Sequence, residues 1–335
     1  MVEKESGYYI DGVLEGNRQV LSKTITLIES ALPDHQRLTR EVLDALLPHT
    51  GNSIRLGITG VPGVGKSTFI ESLGMMLLEK GHRPAILAVD PSSARSGGSI
   101  MGDKTRMERL AIDSRAFIRP SPAGNTLGGV ARKTRETILA CEAAGFDVVI
   151  VETVGVGQSE YSVASMVDFF LVLLLAGAGD ELQGIKRGII EIADALAVNK
   201  ADGENLANAE RTRRAYENAL HLTAPASTVW SPPVLMCSAV TMAGIAEIWE
   251  TVRDHRRKTI ETGEFDLKRT RQAKDWFLYL LDEGLKDWFY QLPKVKRSLP
   301  DVRRHVEAGR TTAMAGAKLL LEYLENRKPD HEHNR

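Results

Sequence analysis

The chain contains little cysteine and almost no excess charge. Two of its 335 residues are cysteines, Cys141 and Cys237, and neither belongs to a CxxC pair or has a histidine-rich partner. This usage excludes a disulfide framework and a zinc module, and it suits a reducing compartment. The formal net charge of -1 gives no electrostatic basis for binding nucleic acid or an anionic membrane surface.

Long apolar runs and targeting signals are also missing. The most apolar run, FFLVLLLAGAG from Phe169, is much shorter than the roughly 20 apolar residues that a membrane span needs. The first residues, MVEKESGYYIDGVLEG, have neither the apolar core of a signal peptide nor the Arg and Ser content of a transit sequence. We therefore expect a cytoplasmic protein that has no membrane segment.

Apolar patterning predicts three segments. Residues 1–52 have helical spacing, for example in VLSKTITLIESAL, and residues 256–335 are helical again. In residues 53–255, seven uniformly apolar runs alternate with helical stretches: IRLGIT, AILAVD, AFIRP, VVIVE, FFLVLLL, ALAVN and VLMCS. Strands that are apolar on both faces and alternate with helices indicate a mostly parallel α/β sheet. The predicted fold is an α/β domain flanked by N- and C-terminal helical segments.

The C-terminal segment carries an apolar stripe with helical spacing. Its members are Phe277, Leu281, Leu285, Trp288 and Leu292. Two interpretations remain open: the stripe packs against the α/β domain, or it forms a subunit interface.

The stretch GVPGVGKS, from Gly60 to Ser67, matches the phosphate-binding P-loop pattern G-x-x-x-x-G-K-[ST]. It follows a predicted strand and precedes a predicted helix, which is the context the motif requires. Backbone N–H groups and the helix N-terminus suit phosphate, Lys66 suits the β and γ oxygens, and the Ser67 hydroxyl suits Mg²⁺. The candidate nucleotide-binding residues here are Gly60, Gly63, Val64, Gly65, Lys66, Ser67 and Thr68.

Three carboxylates are candidates for the magnesium and γ-phosphate side of such a site. Asp90 and Glu152 each follow a predicted strand, where α/β folds place ligand-binding residues. Carboxylates suit the hard Mg²⁺ ion. Glu152 also begins an acidic-x-x-Gly pattern that ends at Gly155, the form of the loop that senses γ-phosphate in GTPases. Asp103 is a second candidate metal ligand in a glycine-rich stretch.

The stretch ALAVNKADGE places Asn199, Lys200 and Asp202 after a strand, in the guanine-specificity pattern N-K-x-D. A carboxylate at Asp202 can accept from guanine N1–H and the 2-amino group together, whereas adenine offers no such pair of donors. The later CSA stretch contributes Ser238 and Ala239, which resemble the short loop whose backbone meets guanine O6. The expected ligands are therefore GTP or GDP with Mg²⁺.

Two further charged stretches allow a plain and a functional interpretation. The helical Arg132, Lys133 and Arg135 either face solvent or dock a partner. The loop AGAGDELQGIKRG is either an ordinary connection or a mobile element coupled to a partner.

Four phrases make a family resemblance specific: AVDPSSARSGGSIMGDKTRM, AFIRPSPAGNTLGG, VVIVETVGVGQSE and GAGDELQGIKRG. They resemble the MeaB/ArgK family, GTPases that act as chaperones of the adenosylcobalamin-dependent enzyme methylmalonyl-CoA mutase. The resemblance implies a homodimer that binds the mutase, gates cofactor loading by GTP hydrolysis, and protects or reactivates the enzyme. It also implies that Lys66, Asp90, Asp103 and Glu152 act in hydrolysis, that Ser67 joins these three acids in the Mg²⁺ site, and that Asp180, Gln183 and Lys186 belong to a partner switch.

Two alternatives remain open from the residues. One is a nucleotide-dependent kinase of a transport component, although the H-R-D and D-F-G motifs of protein kinases are missing. The other is a metal-delivery GTPase, although neither cysteine has a neighbouring metal ligand in the sequence.

Overall fold

The computed structural model describes residues 5–89, 107–120, 127–153, 159–176, 187–221, 227 and 229–325. The helices are α1 Ser6–Leu14, α2 Arg18–Glu29, α3 Pro33–Leu46, α4 Lys66–Glu79, α5 Glu108–Ile112, α6 Leu127–Ala143, α7 Ser159–Ala164, α8 Arg187–Glu191, α9 Leu206–His221, α10 Ile245–Thr262, α11 Glu264–Gln291, α12 Pro293–Glu307 and α13 Ala313–Glu325. The strands are β1 Ile54–Gly60, β2 Pro84–Val89, β3 Phe117–Arg119, β4 Val148–Thr153, β5 Phe169–Leu175, β6 Ala195–Asn199 and β7 Val234–Met236. Short 3-10 helices cover Leu47–His49 and Gly203–Asn205.

The seven strands form one sheet in the order β3-β2-β4-β1-β5-β6-β7, and every neighbouring pair is parallel. Each of the seven predicted apolar runs overlaps one of these strands, so the predicted α/β fold is confirmed. The central strand, β1, lies between β4 and β5. The direction of strand succession changes there, and ligands of open α/β sheets bind beside the carboxyl ends of strands at such a point.

Hydrophobic layers cover both faces of the sheet. On one face, α1, α2, α3, α6 and α7 pack against side chains such as Val149 and Val151 of β4. On the other face, α4, α5 and α10 pack against the alternating residues Val148 and Ile150. This double burial explains why the strands read as continuous apolar runs rather than as an apolar–polar alternation.

In the N-terminal helical segment, one helix ends earlier than the sequence predicted. The helical spacing extended to Leu32, but α2 ends at Glu29, and Leu32 is 59% exposed. Pro33 begins α3, and a residue that precedes proline is restricted to extended conformations. Leu32 therefore joins two helices instead of completing the apolar face of one.

A buried ion pair holds the start of α11 against the amino ends of the strands. Arg269 donates from Nε to Asp168 Oδ1 at 2.9 Å and from Nη2 to Asp168 Oδ2 at 2.8 Å. The same guanidinium donates to the backbone carbonyls of Gly51 and Ser53. Asp168 is only 4% exposed and also accepts from the Arg55 backbone N–H at 2.9 Å. The pair therefore joins three distant parts of the chain.

We expect Arg269→Ala to lower the free energy of unfolding by about 3–5 kcal/mol, because it leaves the Asp168 carboxylate buried without its partner. Arg253→Ala is a matched control, since Arg253 pairs with Glu250 on the surface of α10, and exposed pairs contribute about 0–1 kcal/mol. Urea unfolding measures both variants. An equal, small loss in the two proteins would contradict a stabilising role for the buried pair.

A second buried pair lies at the same end of the sheet. Glu142 accepts from Arg55 Nε and Nη2, both at 2.8 Å, and from Ser53 Oγ at 2.5 Å and the Gly51 backbone N–H at 2.9 Å. Burial alone would raise the pKa of Glu142. The hydrogen bonds and charge of Arg55 outweigh burial and hold that pKa below its ordinary value of 4.5.

A lowered carboxyl pKa gives stability that is fully present above the unfolded-state pKa and is lost as the pH falls through the folded-state value. We therefore expect Glu142→Gln to be less stable than the wild type near neutral pH. The difference should narrow below about pH 4, where protonation removes the same charge from the wild type. Urea unfolding of both proteins across this range measures it. A difference that stays constant with pH would contradict the assignment.

The chain divides into two compact units, residues 1–269 and 270–335. Within the second unit, Ser298 and Tyr323 join α12 to α13 by a hydroxyl contact of 3.1 Å, and Val295 is fully buried. The predicted segment boundaries at residues 52 and 255 stay predictions.

Four residues of the apolar stripe lie on α11, within the second unit. These residues, Phe277, Leu281, Leu285 and Trp288, are between 44% and 64% exposed. Both interpretations of the stripe, packing against the α/β domain and a subunit interface, stay predictions. Among the described residues, no helix is both long and apolar enough to cross a membrane.

Candidate nucleotide-binding site

The predicted phosphate loop lies at the carboxyl end of β1. Gly60 ends the strand, and α4 begins at Lys66. The Lys66 ammonium donates to the carbonyls of Gly60 at 2.8 Å and Val61 at 3.3 Å, so it lies against the first turn of the loop. Gly65 precedes the helix with a φ of 93°, a left-handed conformation that favours glycine. Strand, loop and helix N-terminus therefore have the arrangement that binds phosphate.

Two of the predicted metal-binding oxygens are brought together. The Ser67 hydroxyl at the start of α4 donates to Glu152 Oε1 at 3.2 Å, and Glu152 is buried near the end of β4. One hydroxyl and one carboxylate are oxygen donors of the kind that Mg²⁺ prefers. These two residues fit a magnesium site.

A buried hydroxyl pair lies behind these oxygens. Thr153 Oγ1 donates to Thr59 Oγ1 at 2.6 Å, which links the ends of β4 and β1. Thr59 precedes the phosphate loop and Thr153 follows Glu152. The pair therefore fixes the distance between the strand ends that carry the phosphate loop and Glu152. Neither threonine was predictable from the sequence, because a threonine at a strand end carries no signal of its cross-strand partner.

Asn199 connects the predicted base-reading loop to the phosphate loop. Its Nδ2 donates to the Val64 carbonyl at 2.8 Å, and its Oδ1 accepts from the Ala239 backbone N–H at 3.3 Å. A Cβ added at Gly65 would lie 2.9 Å from the same Nδ2, so glycine leaves room for the amide. Asn199 therefore contacts both the phosphate loop and the loop that contains Ala239.

Lys200 and Asp202, the other two residues of the Asn-Lys-x-Asp loop, also have partners in neighbouring loops. The Lys200 ammonium donates to the Gly63 carbonyl at 2.9 Å, and Lys200 has a φ of 59°, which is uncommon for a residue other than glycine. Ser238 donates its hydroxyl to the Asp202 carboxylate. The CSA stretch therefore orients the Asp202 carboxylate through Ser238.

Two residues that sequence analysis did not assign support this arrangement. Ser72 on α4 donates to the Ala239 carbonyl at 2.7 Å. Burial raises the pKa of the Cys237 thiol to about 12, so the thiol stays protonated and donates to Asn199 Oδ1 at 3.5 Å. Cys237 directly precedes Ser238 in the CSA stretch, and that position was its only sequence signal.

Several predicted residues lie outside the described part of the chain. They are Asp90, Asp103, Gly155, Asp180, Gln183 and Lys186. Their roles stay predictions. Thr68 lies on the exposed side of the first turn of α4.

The basic residues of α6 have partners within the chain. Arg132 pairs with Glu136 at 3.1 Å, Lys133 donates to the Glu29 carbonyl, and Arg135 Nη2 donates to Ser165 Oγ at 2.9 Å. Arg132 therefore faces solvent, Lys133 and Arg135 are half-buried in contacts within the chain, and docking of a partner stays a prediction.

Taken in chain order, a phosphate loop, an acidic strand end and an Asn-Lys-x-Asp loop meet at the carboxyl edge of a parallel sheet. The fold and the site define a P-loop GTPase.

Comparison with known proteins narrows the class. Residues 21–293 match the family described as "Methylmalonyl Co-A mutase-associated GTPase MeaB". "Probable GTPase Rv1496" of Mycobacterium tuberculosis is 53% identical over 307 residues, which cover 92% of this chain and 91% of that protein. "GTPase ArgK" of Escherichia coli is 45% identical over 311 residues, or 93% of this chain and 94% of that protein.

One solved structure covers nearly the whole chain. It is a crystal structure described as "LAO/AO transport system kinase", with a TM-score of 0.77 and 38% identity over 97% of this chain and all of that one. The chain belongs to the MeaB family of GTPases, and it binds guanine nucleotides as a member of that family.

Proposed function

We propose that this GTPase is a chaperone of a cobalamin-dependent acyl-CoA mutase, with methylmalonyl-CoA mutase as its client. GTP hydrolysis would gate the loading of adenosylcobalamin and the protection or reactivation of the enzyme. The observation that carries the proposal is the match of residues 21–293 to the family of mutase-associated GTPases, because it spans the nucleotide loops and most of the flanking helices.

In this proposal, one loop binds the phosphates of GTP and another recognises the guanine base. Lys66 neutralises the β and γ oxygens, and Asp202 reads the guanine edge, with Asn199 and Lys200 holding the base loop on the phosphate loop. Support comes from the direct contacts of Asn199 with Val64 and of Lys200 with Gly63. Because these contacts join the two loops, correct seating of the base also positions the phosphates.

Mg²⁺ is the proposed metal, and it would neutralise charge on the phosphates when bound. Ser67 and Glu152 would hold it, together with Asp90 and Asp103. The 3.2 Å contact between Ser67 and Glu152 supports the first two assignments. Asp180, Gln183 and Lys186 are the proposed partner switch.

The test compares GTP turnover by the purified protein alone and with purified methylmalonyl-CoA mutase. We expect the mutase to stimulate turnover, and a cobalamin-independent mutase at the same concentration to have no effect. Lys66→Ala with the mutase gives the background rate. An unchanged rate with methylmalonyl-CoA mutase would refute the client assignment and leave the GTPase activity standing.

We also propose a homodimer. Support comes from the exposed apolar stripe on α11, since contiguous exposed apolar surface marks protein contacts. Light scattering should find a dimer in the wild type and a monomer in Leu285→Lys, with Leu206→Lys on α9 as the exposed-leucine control.

A second candidate is a nucleotide-dependent kinase of a transport component, which the description of the similar crystal structure favours. Incubation with γ-labelled GTP or ATP and candidate transport proteins separates the two candidates. Transfer of label to a protein would favour the kinase, and release of labelled phosphate alone would exclude it.

A further inference from the structure

Tyr161 of α7 packs directly on the backbone of α8. A Cβ added at Gly188 would overlap the Tyr161 hydroxyl oxygen and would lie 3.3 Å from the ring atom Cζ. No side chain other than the glycine hydrogen fits at this point. Tyr161 is 50% exposed, so hydrophobic burial alone does not require its ring to lie here.

The two helices are otherwise anchored in one core. Val163 of α7 and Ile189 of α8 are both buried in the hydrophobic layer on the same face of the sheet. On its inner side, α7 lies close against β1, because a Cβ added at Gly57 would lie 3.1 Å from Val163 Cγ1. The strand that carries the phosphate loop therefore blocks inward movement of α7.

Each helix is joined by short stretches of chain to a part of the nucleotide site. The N-terminus of α7 follows β4, which carries Glu152, and α8 leads into β6, which ends at Asn199. The start of α8 also closes the segment that contains the proposed switch residue Lys186. A displacement of α7 caused by the nucleotide would reach α8 through the contact between Tyr161 and Gly188.

We propose that the contact between Tyr161 and Gly188 couples the nucleotide state at α7 to the position of α8. Tyr161 is a positioning residue in this coupling and does not touch the nucleotide. The coupling rests on the proposed GTP-sensing role of the segment from Glu152 to Gly155, and it gives the proposed partner switch a mechanical link to that segment.

The geometry predicts opposite results for single and double substitutions. Gly188→Ala adds a methyl group that displaces the half-exposed ring into solvent, which breaks the contact without disturbing the core. Tyr161→Phe removes the hydroxyl and leaves a gap over Gly188. In the double variant, the methyl group would lie 3.3 Å from Cζ, a few tenths of an ångström short of ordinary contact, and an exposed ring can shift by that amount. The contact is thereby restored.

Hydrogen–deuterium exchange tests the coupling. It is measured on peptides that cover α7 and α8 in the presence of GDP or the non-hydrolysable analogue guanosine 5′-(β,γ-imido)triphosphate. We expect exchange in α8 of the wild type to differ between the two nucleotides. This difference in α8 should be lost in each single variant and restored in Tyr161→Phe/Gly188→Ala. Exchange in α7 should differ between the two nucleotides in the wild type and in all three variants.

Gly7→Ala controls for the helix preference of alanine, because a Cβ added at Gly7 meets nothing within 4 Å. Calorimetric titration with both nucleotides confirms binding in every variant. A protein that does not bind the analogue would refute the proposed GTP site. Normal binding with an unchanged α8 response in Gly188→Ala, or a double variant as impaired as the single ones, would overturn the coupling itself.

Discussion

Asp202→Asn is expected to lower the affinity for GTP by about 10²-fold or more, since hydrogen bonds to a charged group contribute about 1.5–3 kcal/mol each and two are affected. The carboxylate of Asp202 can accept from guanine N1–H and from the 2-amino group. The asparagine side chain has one acceptor, Oδ1, and one donor group, Nδ2–H₂. Its Nδ2 therefore faces one of the two guanine donors, so one hydrogen bond is lost and two N–H groups oppose each other.

The same variant should bind xanthosine triphosphate better than the wild type does. Xanthine replaces the 2-amino group with a carbonyl oxygen, which accepts from the asparagine amide while the amide oxygen accepts from N1–H. Competition titrations with GTP and xanthosine triphosphate measure both changes. Glu204→Gln is the matched control, because Glu204 is an exposed acid in the adjacent 3-10 helix. Unchanged GTP affinity in Asp202→Asn would show that another residue reads the base.

Lys66→Ala is expected to lower the rate of GTP hydrolysis by about 10²–10³-fold, the usual effect of removing one preorganised donor from developing charge. Lys66 lies in the first turn of α4 and its ammonium donates to carbonyls of the loop, whereas Phe69 and Leu73 form the hydrophobic layer under the helix. Removal of the lysine side chain therefore leaves the hydrophobic layer under α4 intact. Single-turnover hydrolysis measures the effect, and circular dichroism confirms the fold.

Lys80→Ala provides the control at the other end of the same helix. Lys80 is 43% exposed and lies 3.9 Å from Glu250, a pair that contributes little to stability. This variant should hydrolyse GTP at the wild-type rate. A folded Lys66→Ala protein with wild-type turnover would remove Lys66 from the site.

The sheet and the nucleotide loops were predictable because their signals are local. Each strand is buried on both faces and therefore reads as one apolar run. The phosphate loop needs glycine next to Lys66 and Ser67, so its sequence pattern is fixed. The base loop likewise keeps Asn199, Lys200 and Asp202 within four residues, and the order of the motifs along the chain predicts that they meet at one edge of the sheet.

The contacts that join distant segments were not predictable. Arg269 and Asp168 are 101 residues apart, and Arg55 and Glu142 are 87 residues apart. Periodicity reports which face of a helix or strand is buried, but it does not report which charged residue neutralises another across the fold. The contact of Tyr161 with Gly188 was likewise not predictable, because the sequence does not indicate which side chain packs on a glycine in a short helix.

Hydrolysis of GTP and ATP by the purified protein, with Mg²⁺ present, tests the central claim most directly. The kcat/KM for each nucleotide is measured under identical conditions. Because the half-buried Asp202 carboxylate would lose its two guanine donors with adenine, we expect the value for GTP to exceed that for ATP by about 10³-fold or more. Equal values for the two nucleotides, or a preference for ATP, would contradict the account.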